Sequence, residues 1–560
     1  MSFSWKDRQA AVASLESNPP ELLIIGGGIV GTSAAAHAAK LGLNVLVLEK
    51  EDLAAGASGN STGLAHAGLR YLAQGRIGYV FHEGRERRRL EELAPQWVHP
   101  FNFILPAYKK DPYPFWIMQI GTWIYDLLGW VDALLTGHPW VRRHRVLSAE
   151  EVKSRVPGIR SEDLLGGIEY FVDARLQDAR VALGFAQQAA RQGARVITHC
   201  EVISAAPFLG EKVRLSARDL LTGKSLEVKA SLVLNASGAW IDGVRQRAAL
   251  AGAPLVQKSK GIHLIVDHVA DSPLIMSGSA KGKVFFVIPI DSKRTLVGTT
   301  DTPLKGAPDE ALPDARDVME LLQQLFHFFP YFKQGPNLPA AIENYRQVHV
   351  RDVYWAVRPL LLQQGASTPD ASREHRLVKD LPRFWSLPGV KLTSGRAAGH
   401  EAAVEAWSFL RKDVPLPSVE WDSLPGGELW DLERFIWDAQ RRFKLGVNPG
   451  ALLRHLITAY GTRYVEVLQW AQREAAYSEP VVPGEPWILA EAAYAVHEEM
   501  AVTLNDFLWR RTKWAHYRDL PMEAVRRIAQ TFGTYLGWSD DDLKREIEAY
   551  ERELKKHRLP

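Results

Sequence analysis

Cysteine is nearly missing. Cys200 is the only one in 560 residues, which excludes an intramolecular disulfide and any cysteine-rich zinc site and fits a reducing compartment. Charge of one sign is missing too. The 68 basic residues nearly balance 65 acidic ones, a formal net of +3. A nucleic-acid binder would carry a marked basic bias, so no nucleic-acid partner is expected. No uncharged apolar run reaches the roughly 18 residues of a spanning helix. Residues 1–20 carry charges without an apolar core, which is not the pattern of a secretory leader. Internal repeats and low-complexity tracts are absent. What remains is ordinary globular usage, 46% hydrophobic and 24% charged, on a chain too long for one domain.

Several segments have a readable period. Leu22–Ile25 and Val45–Leu48 are short apolar β-rich runs, and the alanine-rich stretch from Ile29 to Ala39 between them reads as a helix. From about Glu201 the chain turns strand-rich, with a hairpin expected about Thr222-Gly223 and apolar strands at Leu232–Leu234, Ile262–Val266, Val284–Pro289 and Thr295–Gly298. After Pro425-Gly426-Gly427 the glycines thin out: residues 428–560 hold 6 of 43. That stretch reads as successive amphipathic helices. The segment Pro112 to Trp140 is unusually apolar, with Trp116, Trp123 and Trp130 seven apart and so near one helical face. A buried helical hairpin is the expectation there, and a face resting on a bilayer the alternative. Arg85 to Leu93 reads as a mixed-sign helix surface. The HEEM run at His497 lacks the second histidine of a zinc-protease helix, and no metal site is expected from ligand spacing.

The strongest local signal is the glycine turn between the first strand and helix. Gly26, Gly28 and Gly31 fill G-x-G-x-x-G positions, allowing a tight turn, close approach of a pyrophosphate and close helix packing. Amides at the helix start would hold the phosphates. Glu49 ends the second strand 18 residues after Gly31, where a carboxylate can accept from ribose hydroxyls. The small-residue loop that follows, with Ser58, Asn60, Ser61, Thr62 and His66, suits a cofactor that continues past the pyrophosphate. Together with LNASGAW, which carries Ser237 and Gly238, it resembles the cofactor contacts of glutathione-reductase-like flavoproteins. FAD is the expected cofactor.

The motifs HAGLRYL (66–72), WIMQIGTWIYDLLG (116–129), FVDARLQDARVAL (171–183), LNASGAW, KGIHLIV (260–266), LVGTTDTPLKG (296–306), AVRPLL (356–361) and LWRRTK (508–513) follow one another in the order of a known family. Across about residues 20–545 the chain resembles the flavin-dependent glycerol-3-phosphate dehydrogenases, in particular the aerobic, membrane-associated members. The resemblance implies an α/β fold: a Rossmann-like FAD-binding domain in pieces (20–95, 150–255, 350–410) interleaved with a mixed-sheet substrate or cap domain (96–149, 256–349), plus an all-α C-terminal domain (428–560). It implies oxidation of glycerol 3-phosphate to dihydroxyacetone phosphate with a hydride passing from C2 to flavin N5. Electrons would go to a membrane quinone, from a protein lying peripherally on the inner face of the cell membrane. A homodimer stays open. The rivals are an oxidase passing electrons to oxygen, a related enzyme acting on another hydroxy acid, and a non-catalytic flavin scaffold.

By the same resemblance Arg70, Arg358, Lys391 and His263 bind substrate, with His263, Arg358 and Lys391 catalytic. Cofactor contacts fall on Gly26, Gly28, Gly31, Glu49, Ser58, Asn60, His66, Val202, Ser237, Gly238, Leu392 and Thr393. The chemistry is consistent: a planar guanidinium suits a phosphate dianion, and a histidine suits proton abstraction. His263 is the first choice of base and His66 the second. The chain departs from the family at Ala67, where glycine is usual, at Gly63, where lysine is usual, and at Gly395, where tyrosine is usual.

Overall fold

The computed structural model describes residues 3–137, 142–206, 212–250, 252–278, 284–362, 375–418, 422–442, 449–517 and 520–558. Strands β1 (Leu22–Ile25) and β2 (Val45–Leu48) pair in parallel, residue for residue from Leu22 with Val45. Leu232–Asn235 joins the other side of β1 and Arg195–Ile197 joins β2, both also parallel. Every residue of β1 and β2 is buried, because both faces of this six-stranded sheet are covered. Unbroken apolar runs are what such strands require. Leu22, Ile24, Val45 and Val47 face helix α1 (Ile29–Lys40) and the Asp178–Arg191 helix. Leu23, Ile25, Leu46 and Leu48 face a three-stranded sheet containing the expected Thr222-Gly223 hairpin.

A nine-stranded mixed sheet forms the second layer. Its longest pairing is antiparallel, between β3 (Val256–Asp267) and β4 (Val350–Leu361). Ile262, Leu264 and Val266 pack against the helices Ala315–Phe328 and Leu338–His349. The alternate residues turn the other way, as the strand period of two demands. Two expected boundaries move. Leu164–Tyr170 and β4 hydrogen-bond within this large sheet, so the changes of layer fall after 170 and 361 rather than at 150 and 350. Strand pairing, invisible in composition, decides this.

Of two further expectations one holds only in part and one fails. Helix α2 (Ile77–Leu93) is a mixed-sign surface on one side only: Arg85, Arg89 and Glu92 are exposed, while Glu83, Glu86, Arg87 and Arg88 are buried. Its charges are satisfied by specific partners, Glu86 by Arg396 at 2.7 and 2.8 Å and Arg88 by Asp132 at 2.8 Å. The Pro112–Trp140 segment is not a buried hairpin; residues 138–140 lie outside the described residues. Phe115–Thr136 forms one 22-residue helix, α3. It buries Thr122, Asp126 and Asp132 and exposes Trp116, Ile120, Trp123, Leu127, Val131 and Leu134. Asp126 pairs with His144 (2.7 Å) and Asp132 with Arg88 of α2. The helix is apolar on its outer face. Among the described residues no helix is long and apolar enough to cross a membrane.

Residues from Leu432 onward fold as helices around their own core. Arg511 ties this layer to the cofactor domain through paired bonds to buried Asp52 (2.5 and 2.9 Å). Removing one partner from such a pair costs about 3–5 kcal/mol.

Candidate functional site

A cleft of about 1350 Å³, its open mouth included, runs along the carboxyl ends of β1 and β2, where open α/β sheets bind ligands. Gly26, Gly28, Glu49, Ser58, Val202, Ser237, Gly238 and Leu392 line it. The glycine spacing has a steric basis: a Cβ on Gly31 would run into the Gly26 carbonyl oxygen. Glu49 accepts from the Gly27 amide (2.5 Å) and the Glu51 amide (2.8 Å), and burial raises its pKa. Ser58 Oγ accepts from the Ile29 amide (3.0 Å) at the start of α1. Ser237 is held by Asn235, whose carbonyl oxygen accepts its hydroxyl at 2.6 Å. Trp240, at the end of LNASGAW, also lines the cleft, as do Arg247 and Cys200, which were not foreseen because no glycine motif marks their segments.

Other expected cofactor residues sit differently. Asn60 turns its amide back onto the Ala55 and Gly56 carbonyls (2.9 and 3.0 Å), so it closes its own loop. His66 is half-buried beside the cleft and its carbonyl accepts from Lys391 Nζ at 2.6 Å. Thr393 is fully buried, and its hydroxyl has no hydrogen-bond partner among the described residues. Gly395 packs so closely that a Cβ there would meet the Ile29 side chain. The family's tyrosine position is thus taken by contact between helix α4 (Gly395–Leu410) and α1.

Beyond the cleft stands the site face of β3 and β4. In register, Arg358 lies opposite Ser259 and Tyr354 opposite His263, so His263, Tyr354 and Arg358 share one face. Pro359, next to Arg358, lines the cleft. Arg358 lies over Gly261 and His263 over Gly298; a Cβ on either glycine would strike the side chain above it. Arg358 donates to the Thr300 carbonyl (3.0 Å) and Thr299 Oγ1 (2.7 Å), and its side chain is 22% exposed. His263 is buried, stacked on Tyr354 with centroids 4.8 Å apart, and has Thr62 Oγ1 3.0 Å from its Nε2. Burial first, then the charges of Arg358 and Lys513, push its pKa down to about 3, so the imidazole is neutral. Lys391 is only 7% exposed and ion-pairs with buried Glu83 at 3.1 Å. Arg70 follows Gly68 on the short helix Leu69–Gln74; its side chain lies outside the described residues.

The match to a family model decides the affiliation. The "FAD dependent oxidoreductase" model matches residues 21–403, and the "C-terminal domain of alpha-glycerophosphate oxidase" model matches 422–543. A glycerol-3-phosphate dehydrogenase of Synechocystis is 29% identical, with 98% of each chain covered. Glycerol-3-phosphate dehydrogenase 2 of Mycobacterium tuberculosis is 30% identical over 97% of this chain and 89% of its own. The chain belongs to the FAD-dependent glycerol-3-phosphate dehydrogenase family. The structure of the Bacillus halodurans glycerol-3-phosphate dehydrogenase complexed with FAD superposes with a TM-score of 0.78 at 24% identity, covering 100% and 99% of the two chains; it supports the fold.

The residues present fit the family's FAD. Gly26, Gly28 and the amides at the start of α1 would cradle a phosphate, and Glu49, lining the cleft at the end of β2, would accept from a ribose. Thr393, whose buried hydroxyl has no hydrogen-bond partner among the described residues, directly follows Leu392, which lines the cleft. The metal expectation needs one addition. Asp352, His516 and His557 bring ligand-capable atoms within 4.8 Å of one another, from segments too far apart for linear spacing to reveal. Hydrogen bonds occupy them: His516 Nδ1 and Asp352 Oδ2 are 2.9 Å apart, and His557 Nδ1 donates to the Val353 carbonyl at 2.9 Å.

Proposed function

We propose that the protein oxidises sn-glycerol 3-phosphate to dihydroxyacetone phosphate and passes the electrons to a membrane quinone. The observation that carries this is the placement of Arg358 and His263 on one sheet face at the end of the FAD cleft. FAD, when bound, supplies the acceptor at N5 for the hydride leaving C2. Arg358 holds the phosphate, since Thr299 and the Thr300 carbonyl fix its guanidinium while part of it stays open. His263, kept neutral, takes the hydroxyl proton. A dianion against Arg358 offsets one of the charges that depress the His263 pKa, so the base strengthens as substrate arrives. Lys391, committed to Glu83 and the His66 carbonyl, braces the 66–68 turn and adds positive charge near the cofactor. By the family resemblance alone, Arg70 is assigned to the same phosphate. Anaerobic mixing of the FAD-loaded protein with glycerol 3-phosphate tests this: prompt bleaching of flavin absorbance is expected, and none with glycerol. Bleaching by an unphosphorylated hydroxy acid alone would overturn it.

The acceptor reading rests on α3. Its exposed tryptophans and leucines face outward while its carboxylates face inward, and Lys109 and Lys110 stand exposed just before it. An anionic bilayer surface satisfies both features, and a quinone lives in that bilayer. The oxidase reading is favoured by the C-terminal match to an alpha-glycerophosphate oxidase model. Reduced protein exposed to air separates the two: slow reoxidation in air with fast reoxidation by a quinone analogue supports the dehydrogenase. Release from membranes by alkaline carbonate is expected of peripheral attachment; release by detergent alone would contradict it.

A further inference from the structure

We propose that Lys513, in the helical C-terminal domain, is a positioning residue for His263, acting through Asp178 and the Ser61–Thr62 loop. The proposal rests on His263 being the base. The connection is continuous. Lys513 Nζ lies 2.5 Å from Asp178 Oδ1. The other Asp178 oxygen accepts from the Ser61 amide (2.9 Å) and the Ser61 hydroxyl (2.8 Å). Thr62, the next residue, reaches His263 Nε2. On the loop's other side Tyr354 donates to the Ser61 carbonyl at 3.1 Å and stacks on the imidazole. His516, three residues beyond Lys513, packs against the same Tyr354 ring at 4.9 Å. The helical domain therefore braces both supports of the base.

The physical need is local. Asp178 is fully buried at the start of its helix, where Oδ1 also accepts the Ala179 amide (2.8 Å). Asp178 gives its other oxygen to two Ser61 donors, and a carboxylate buried this deeply needs a cation beside it to offset the cost of burial. Lys513 is that cation. It also adopts φ of +55°, a left-handed conformation that a lysine rarely takes and that persists where the surroundings dictate the backbone. The charged groups acting on His263 are Arg358 from β4 and Lys513 from the helical domain; Asp301 lies 3.7 Å from Arg358, and Asp178 pairs with Lys513.

Full-length, FAD-loaded variants test the assignment, with kcat and KM for glycerol 3-phosphate measured across pH and flavin per chain measured by absorbance. Lys513→Met should lose roughly tenfold to hundredfold in kcat, the scale of a misplaced catalytic group. KM should change little and flavin content not at all. The acid limb of kcat should move to higher pH, because a positive charge that disfavours imidazolium is gone. Lys513→Arg should restore most of both effects. A folded, flavin-loaded Lys513→Met with wild-type kcat and pH profile overturns the proposal, as does Lys513→Arg as impaired as Lys513→Met. If Lys513→Met does not fold, Thr62→Val carries the test: lowered kcat with a displaced acid limb supports the brace, and wild-type behaviour overturns it. His263→Asn separates the two levels. If it turns over like wild type, the base assignment falls and the proposal with it. If it collapses while Lys513→Met and Thr62→Val behave as wild type, only the proposal falls.

Discussion

The cofactor cradle and the reacting face are built by opposite routes. The cradle comes mainly from one stretch, Gly26 to Ser58, in which strand, turn, helix and strand follow directly. The proposed reacting face draws Thr62 from a loop, His263 from β3 and Tyr354 and Arg358 from β4, and in our proposal leans on Lys513 from a third layer. A contiguous site shares its backbone and fails as a unit. A dispersed site loses one role at a time while the rest stands.

The largest expected effect breaks the cradle. Gly31→Val places its side chain against the Gly26 carbonyl, so the turn must open, and purified protein should carry little or no flavin by absorbance. Normal flavin content would sever the cradle from this turn. The next breaks the reacting face alone. Arg358→Ala should keep flavin bound yet lose several hundredfold in kcat/KM for glycerol 3-phosphate, about 3–5 kcal/mol for a charged contact stripped of its partner. Arg358→Lys should recover only part, because an ammonium cannot copy the planar fork. If Arg358→Ala sheds its flavin, the two regions are not separable.

A smaller effect sharpens the contrast through pH. The His263 pKa is about 3 when folded, below the ordinary value of the unfolded chain. Its contribution to stability is therefore complete above about pH 6.5 and is lost progressively as pH falls towards 3. At pH 5 the loss is about 2 kcal/mol, from the roughly 1.36 kcal/mol attached to each pKa unit. Thermal unfolding of His263→Gln and wild type at pH 7 and pH 5 should show the variant losing less on acidification; equal losses would refute a depressed imidazole. The smallest effect belongs to the cradle floor. Cys200 lines the cleft, yet burial pushes its thiol up to about 12. Alkylation of the folded protein should be far slower than in denaturant, whether or not flavin is bound.

Much of the cradle was legible because its constraints act between near neighbours. Gly26, Gly28 and Gly31 meet their steric limits within one turn, and the apolar strands beside them need no distant partner to be recognised. Asn60 escaped because its side chain could face the cofactor or its own loop with the same sequence, and it closes the loop. Helix α2 was legible on one side: Arg85, Arg89 and Glu92 are exposed as its alternating charges suggest, but Glu86 and Arg88 are buried against Arg396 and Asp132, partners that local spacing does not reveal. In α3 the seven-residue tryptophan spacing located a face correctly. Which way that face points depended on where Asp126 and Asp132 found cations and imidazole.

By itself the sequence determined the local periods, the glycine turn and the helical character of the last quarter, because each depends on residues within a few positions of one another, and it also carried the family order of motifs. Tertiary structure alone decided which strands share a sheet, that α3 turns its apolar side outward, and that Gly395 packs against Ile29. It also decided that the imidazole of His263 is gripped by Thr62, stacked on Tyr354 and backed by the helical domain. Those contacts join segments far apart in the chain, and their geometry exists only once the layers have closed on one another.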